Sequence, residues 1–415
     1  MNKKFFILML LVLFLSTTLV SASELENTNM ASTNDENPIE ILDSVDYQDE
    51  INLEETPLQV AYHENTSDIN YLQETSQDSI ISTDSNEVIV VNDWDELQYY
   101  CAQTDNDYTL KLKENTNFYP NNPADSNQQI KIKNNVKIIG SNGSYIGDNV
   151  SDARTLKFIA FLVEDDNNVG LTLENITFNW IQASYPPKQQ DGIFIQMGGK
   201  KTTIIKNCKF SNIKVKHGHA TIVYLKKNSA ILENCSFINC TSNYGVVSIY
   251  DRNSVKSVSM VVRNCYFENN YAETEPGCIN NCGKLTVYNT TFVKNRSFWW
   301  AGAIHTHLYG NTTIYDSNFI DNVAGWNGGA LYTYSYLQIY DSVFVGNNCT
   351  TNNGGGAIGA CKYESVPIFI LKVVCLKIML IIAGLWMNCL LRVLVVVEQF
   401  HLWMKEPLKL ETLLL

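Results

Sequence analysis

The chain has 415 residues, with 43 Asp and Glu against 30 Lys and Arg, and a formal net charge of −13. The charge is unevenly placed: no Lys or Arg lies between Phe5 and Leu110, and residues 23–88 alone hold 17 acids. This excludes a nucleic-acid binder driven by bulk positive charge, because phosphate affinity needs clustered cations. It also excludes one uniform globule.

The N-terminus reads as a secretory signal over residues 1–22. Lys3 and Lys4 precede an unbroken apolar run from Phe5 to Leu15, and Val20-Ser21-Ala22 supplies small residues for cleavage. The run is short for a spanning helix. The mature protein is therefore expected outside the cell, secreted or at the cell surface, in an oxidising setting. Residues 23–88 are acidic, polar and poor in large apolar side chains. They cannot bury enough apolar area to offset chain entropy, so a disordered, self-repelling spacer is expected.

Residues 89–170 are expected to form an N-terminal cap and the first coils of a repeat. Asp93 is a candidate N-cap for a short helix through Trp94, Leu97 and Cys101. Strands are expected near Leu110–Leu112, Ile130–Ile132 and Val136–Ile139.

Residues 171–361 repeat. A Phe recurs at 178, 210, 237, 267, 292, 319 and 344, at intervals of 32, 27, 30, 25, 27 and 25. Three residues before each Phe stands Asn175, Asn207, Asn234, Asn264, Asn289, Asp316 or Asp341. Two residues before stands Ile176, Cys208, Cys235, Cys265, Thr290, Ser317 or Ser342. An Asn follows Phe210 and each later Phe by two or three residues: Asn212, Asn239, Asn269, Asn295, Asn322 and Asn347. A second block reads Gly302-Ala303-Ile304, Gly329-Ala330-Leu331 and Gly356-Ala357-Ile358. Short alternating stretches such as Leu285-Thr286-Val287 and Thr313-Ile314-Tyr315 lie between the blocks.

Period-2 alternation with β-branched residues predicts strands, and the Gly and Asn positions predict turns with left-handed backbone angles. Three strands and three turns in 25–30 residues make one coil of a parallel β-helix. The fold class is accordingly all-β, a parallel β-helix, with the Phe residues forming an inward column about 4.8 Å apart.

The last segment, 362–415, departs from this pattern. Residues 201–361 contain 22 Asn, whereas 362–415 contain one, Asn388, together with 13 Leu. One reading is a transmembrane anchor near Val373–Leu391, against which Lys377 counts. The other is a frameshift between about Ile358 and Pro367. In one shifted frame the codon table permits Ile368–Met379 and Val395–Thr412 to encode the Cys-x-Phe and Gly-Gly-Ala-Ile elements of the repeat. Membrane contact is expected only through the signal or this tail.

The elements Phe267–Asn270, Phe292–Asn295, Phe319–Asn322 and Phe344–Asn347, with Gly302-Ala303-Ile304, Gly328-Gly329-Ala330-Leu331 and Gly355-Gly356-Ala357-Ile358, resemble the repeats of chlamydial polymorphic outer-membrane proteins. The whole layout is similar to the adhesin-like surface proteins of methanogenic archaea: a signal, an acidic spacer and right-handed parallel β-helix repeats. The likeness covers about 170–361 well and 89–170 weakly. It implies a cell-surface adhesin, here truncated.

No catalytic, cofactor-binding or metal residue is assigned. Cys208, Cys235 and Cys265 sit where Thr and Ser replace them later, which fits free thiols packed as small hydrophobes. Cys278 and Cys282 could bridge or bind metal. His217 with His219, and His305 with His307, form i, i+2 pairs, but no carboxylate stands beside either at a regular spacing. Asp191, Asp251 and Arg252 are isolated by phase, so the paired carboxylates of a glycosidase are not evident.

The candidate binding residues are aromatic. Phe298, Trp299, Trp300 and Trp326 precede the Gly-Ala blocks of successive coils, and Tyr332, Tyr334 and Tyr336 alternate as if along one strand face. Exposed aromatics stack on sugar rings or anchor protein partners. The expected function is a secreted, adhesin-like rod binding glycans or cell-surface proteins, without catalysis and without nucleic acid. The alternatives are a polysaccharide lyase or glycoside hydrolase on a β-helix, and a non-functional truncated gene fragment.

Overall fold

The computed structural model describes residues 87–148, 154–164, 167–184, 193–216, 221–249, 258–351 and 356–360, with the backbone of two further strands at 368–372 and 392–396. All of these residues lie in the compact unit that begins at Ser67. The signal, nearly all of the acidic spacer and the candidate span 373–391 lie outside the described residues.

Three parallel sheets, of 12, 15 and 9 strands among the described residues, form a right-handed parallel β-helix. One coil shows the path. Ile304–Thr306 lies in the third sheet and Asn311–Tyr315 in the first. Asn318–Ile320 and the short Val323–Ala324 lie in the second, and Leu331–Thr333 returns to the third. The sequence pattern predicts three strands per coil; the structure has four, because a left-handed residue bends the second-sheet segment in two.

Each inward column holds one kind of side chain. In the first sheet Leu110, Ile138, Leu173, Ile205, Leu232, Val262, Val287, Ile314 and Ile339 stand in register, all fully buried. In the second sheet Phe178, Phe210, Phe237, Phe267, Phe292, Phe319 and Phe344 are in register. Their rings stack nearly parallel, with centroids 4.5–5.0 Å apart. The column continues upstream through Ile146 to Phe118. Ile146 stands at a Phe position, so the earliest coils do not show the motif in the sequence.

The turns follow from backbone sterics. Asn175, Asn207, Asn234, Asn264, Asn289, Asp316 and Asp341 all have φ between 41° and 57°, a region that Asn and Asp tolerate far better than β-branched residues. Their amides also link coils: Asn207 Nδ2 donates to Asn175 Oδ1 at 3.1 Å, and Asn289 Nδ2 to Asn264 Oδ1 at 2.9 Å.

The Asn that follows each Phe proves to be two positions, not one. Asn212, Asn239 and Asn269, two residues on, have positive φ and form the bend between the second-sheet strands. Asn270, Asn295, Asn322 and Asn347, three residues on, form a ladder, of which the first three are buried. In it Asn270 donates to Asn295 Oδ1 (2.9 Å), Asn295 to Asn322 Oδ1 (3.0 Å) and Asn322 to Asn347 Oδ1 (2.9 Å). Each of these amides also donates to the carbonyl of a Phe in the preceding coil, and each Oδ1 accepts a main-chain N–H, so the buried polar groups are satisfied.

All eight described cysteines are free thiols. Cys208, Cys235 and Cys265 donate to the inward carbonyls of Leu173, Ile205 and Leu232. In later coils Thr290, Ser317 and Ser342 occupy the same phase and donate to the carbonyls of Tyr288, Tyr315 and Tyr340. Cys278 and Cys282 are buried and unbridged.

The helix Trp94–Cys101 covers the N-terminal end. Asp93 caps it, accepting from the Glu96 N–H at 2.9 Å, and Trp94, Leu97 and Cys101 are its buried face. Trp94 Nε1 donates to the Gln128 carbonyl at 2.8 Å, and its ring meets Phe161 edge-on. The helix thereby packs beside Ile130–Lys131, the end strand of the third sheet. At the other end the first sheet continues through Ile368–Lys372 and Arg392–Val396, both parallel. Among the described residues no helix is long and apolar enough to cross a membrane.

Phe267→Ala is expected to cost about 3–5 kcal/mol, because the ring leaves a cavity between two stacked neighbours. Asn295→Ala should cost about 1–3 kcal/mol for each buried partner left unpaired. Urea unfolding followed by far-UV circular dichroism measures both. A midpoint unmoved by Asn295→Ala would show that the buried ladder is not stabilising.

Candidate functional site

The aromatic residues singled out from the sequence divide into two groups. Phe298 and Trp326 are exposed, at 58% and 51%, and Trp299 lies half-buried between them, its ring 5.4 Å from Phe298 and 4.9 Å from Trp326. This trio sits in the loops that leave the short second-sheet strands Arg296–Ser297 and Val323–Ala324. Main-chain bonds anchor it: Phe298 N–H donates to the Ala272 carbonyl, and Trp326 N–H to that of Trp299. Tyr336, at the start of Tyr336–Tyr340, is also exposed, but it belongs to the first sheet.

The expectation that Tyr332, Tyr334 and Tyr336 share one strand face is not met. The chain bends at Tyr334-Ser335: Thr333 Oγ1 donates to the Ser335 carbonyl and accepts the Ser335 N–H at 3.0 Å. Tyr332 ends up on the third sheet at 5% exposure and Tyr334 on the bend. Trp300 joins these two and not the exposed trio, with ring centroids 5.3 Å from both Tyr332 and Tyr334. Trp300 is half-buried, so its ring both packs on Tyr332 and Tyr334 and keeps part of its surface open.

The same corner of the solenoid carries a shallow groove of about 450 Å³, lined by Trp180, Gln182, Asn212, Lys214, Asn239, Thr241, Asn269 and Tyr271. Its rungs lie in register: Gln182, Lys214, Thr241 and Tyr271 pair coil to coil, and the next two rungs are Arg296 and Val323, the strands that bear the aromatic trio. A second aromatic ladder escaped the sequence reading. Tyr288, Tyr315 and Tyr340 stack on the outer face of the first sheet at 5.0 and 4.9 Å. Its signal was a Tyr directly before the turn residues Asn289, Asp316 and Asp341.

The outer column of the third sheet holds a polar cluster. Ser248, Asn280, His305 and Tyr332 are in register and all buried, although they point away from the coil interior. Trp300, Tyr332 and Tyr334 stand around His305, with centroids 5.3–5.5 Å away. Glu275 reaches this column from the loop one coil earlier. Its Oε2 lies 2.6 Å from His305 Nδ1 and 3.5 Å from His307 Nε2. The sequence reading placed no carboxylate beside these histidines, and the structure corrects it. One coil back from His305 in register is Asn280, so the regular spacing points past Glu275, which arrives by the fold of its loop. The other His pair, His217 and His219, and the residues Asp191, Asp251 and Arg252 lie outside the described residues.

Burial lowers the His305 imidazole to about 4; His307 adds to this and Glu275 opposes it. Burial pushes the Glu275 carboxyl up, but the imidazoles, His305 first, outweigh it and hold the group well below the usual carboxylate range. His305 is thus neutral at pH 7 and donates Nδ1–H to an ionised Glu275. Its Nε2, and that of His307, are buried without a hydrogen-bond partner. So are both amide atoms of Asn280.

A model of the family described as right handed beta helix region matches residues 191–368. No curated protein matches the chain. Among solved structures, an alginate lyase from Paenibacillus sp. str. FPU-7 aligns over 63% of this chain and 98% of its own, at 12% identity and a TM-score of 0.22. An overlap that weak carries no information on substrate. The register of the coils and the family match together define a right-handed parallel β-helix repeat protein.

The titration of this cluster has one sign. His305 binds its proton less readily folded than unfolded, so stability falls as pH drops from about 6.5 to about 4. Glu275, depressed in the folded state, loses its contribution as pH falls below the ordinary carboxylate range, in the same direction. Melting temperatures taken from pH 7 to 4 are expected to decline, and His305→Gln to flatten the upper part of that decline. An equal slope in the variant would mean that other groups govern it.

Proposed function

We propose that the chain is a secreted, surface-directed, adhesin-like β-helix that binds glycans, or the glycan-bearing surfaces of partner cells, along one corner of its coils. The observation that carries this reading is the aromatic trio of exposed Phe298 and Trp326 with half-buried Trp299, in line with the groove of Trp180, Tyr271 and the bend residues Asn212, Asn239 and Asn269. Flat aromatic rings stack on the apolar faces of sugars, and amides and Lys214 supply hydrogen bonds to hydroxyls or acidic groups. The rungs repeat with the strand spacing, so an extended chain meets one set of contacts per coil. Rigid coils hold these groups in place before binding, which lowers the ordering cost of association.

A polysaccharide lyase or glycoside hydrolase is the second reading, favoured by the Glu275–His305 pair with Tyr332 and Tyr334 beside it. A neutral imidazole oriented by a carboxylate is a general-base arrangement. Against it stands the complete burial of His305.

Trp326→Ala and Phe298→Ala, each on an exposed ring, are expected to leave the free energy of urea unfolding within about 0.5 kcal/mol of the parent. Retention on glycan arrays or on polysaccharide-coated surfaces should weaken about tenfold or more, as for truncation of a central aromatic contact. Unchanged retention would sink the assignment of this corner. Incubation with alginate and pectate, followed at the absorbance of unsaturated products, should yield none; product that disappears in His305→Gln would establish the lyase instead.

A further inference from the structure

We propose that Glu275, His305 and His307 bind a divalent transition-metal ion of the zinc class. The three donors come from two successive coils, and one ligand atom of each lies within 4.8 Å of the others. Both imidazoles converge on a single carboxylate oxygen, His305 Nδ1 at 2.6 Å and His307 Nε2 at 3.5 Å. In a tetrahedral zinc site, with metal–ligand bonds of about 2.0–2.2 Å, neighbouring donor atoms stand about 3.3–3.5 Å apart. The His307 separation already matches. The His305 separation has to open by less than about 1 Å, the movement from a hydrogen bond to two bonds sharing one ion.

Proton balance needs no outside partner. Neutral His305 presents its Nδ1 lone pair by passing that proton to Nε2, its other neutral tautomer. His307 Nε2 already faces Glu275 Oε2 across 3.5 Å, so only a long contact is given up when it turns to the ion. Glu275 supplies the one negative charge. Two nitrogens and one oxygen favour zinc, cobalt, nickel or copper over calcium or magnesium, which take sets of oxygens. Three protein donors leave a fourth position for solvent.

A second, independent feature points to a ligand. Asn280, the rung next to His305 in the same column, is 1% exposed, and its amide has both a donor and an acceptor without a partner. Buried amides are nearly always paired, because an unmade bond there costs about 1–3 kcal/mol. A metal-bound water beside His305 would supply a donor for the Asn280 amide oxygen. The aromatic wall of Trp300, Tyr332 and Tyr334 keeps bulk water from competing for the ion.

The test uses the full chain, without an affinity tag, stripped with EDTA and dialysed. Co²⁺ is titrated in and followed by its visible d–d bands; Zn²⁺ is titrated calorimetrically. The expected result is one ion per chain, strong visible bands of a low-coordinate site, and a melting temperature that rises with Zn²⁺ but not with equal Ca²⁺. Glu275→Gln and His307→Ala should each weaken binding at least about tenfold. His307 is part-exposed, so His307→Ala also serves if Glu275→Gln alters the metal-free melting temperature. No bands and no thermal shift at tenfold excess metal, or bands that persist unchanged in His307→Ala, would overturn the assignment. Neither outcome depends on whether the rod binds glycans.

Discussion

Parallel stacking of coils in register is the constraint on which everything else here depends. Each residue lies against the residue one coil away, about 4.8 Å distant, so a column can hold only side chains that pack against their own kind. Aliphatics and Phe rings meet this need by dispersion and area burial. Asn meets it differently. Its amide both donates and accepts, so Asn270, Asn295, Asn322 and Asn347 can pass hydrogen bonds along the axis without a charge. A charged column would repel itself, which is why the buried polar rungs are amides, hydroxyls and thiols.

The outer columns obey the same spacing but not the same uniformity. On the second-sheet corner they present amides, Lys214, Arg296 and aromatics at a regular pitch to solvent. On the third sheet the column changes identity at every rung, from Ser248 through Asn280 and His305 to Tyr332. There the loops fold over it and bury it. Regular repetition suits a long ligand; departure from it, under a cover of aromatic rings, suits one small ligand held by unlike groups. The second-sheet corner is regular in this sense, and the Glu275–His305–His307 cluster is the departure from it.

Much of the fold was legible because its rules are local or periodic. The Phe column, the left-handed Asn and Asp turns, the free thiols and the capped helix with Trp94, Leu97 and Cys101 inward all follow from phase and residue type. The site was legible only in part. Phe298 and Trp326 are exposed, as expected of loop aromatics before a Gly-Ala block, which have few places to go. Tyr332 was misread as a surface group, because the bend made by Thr333 and Ser335 is invisible to an alternation count. The two Asn positions after each Phe were merged, because a difference of one residue separates an exposed bend from a buried ladder.

What the sequence alone determined was the repeat, its length and the identity of each inward column, because coil-to-coil packing demands like residues at like phase. Tertiary structure alone decided which outward residues are covered and which loop side chains meet across coils. Glu275 reaches His305 over 30 residues, by a loop whose path no period encodes. Solenoid spacing fixes the strands to one another, whereas loops between them are held only by contacts that exist once the coils have stacked.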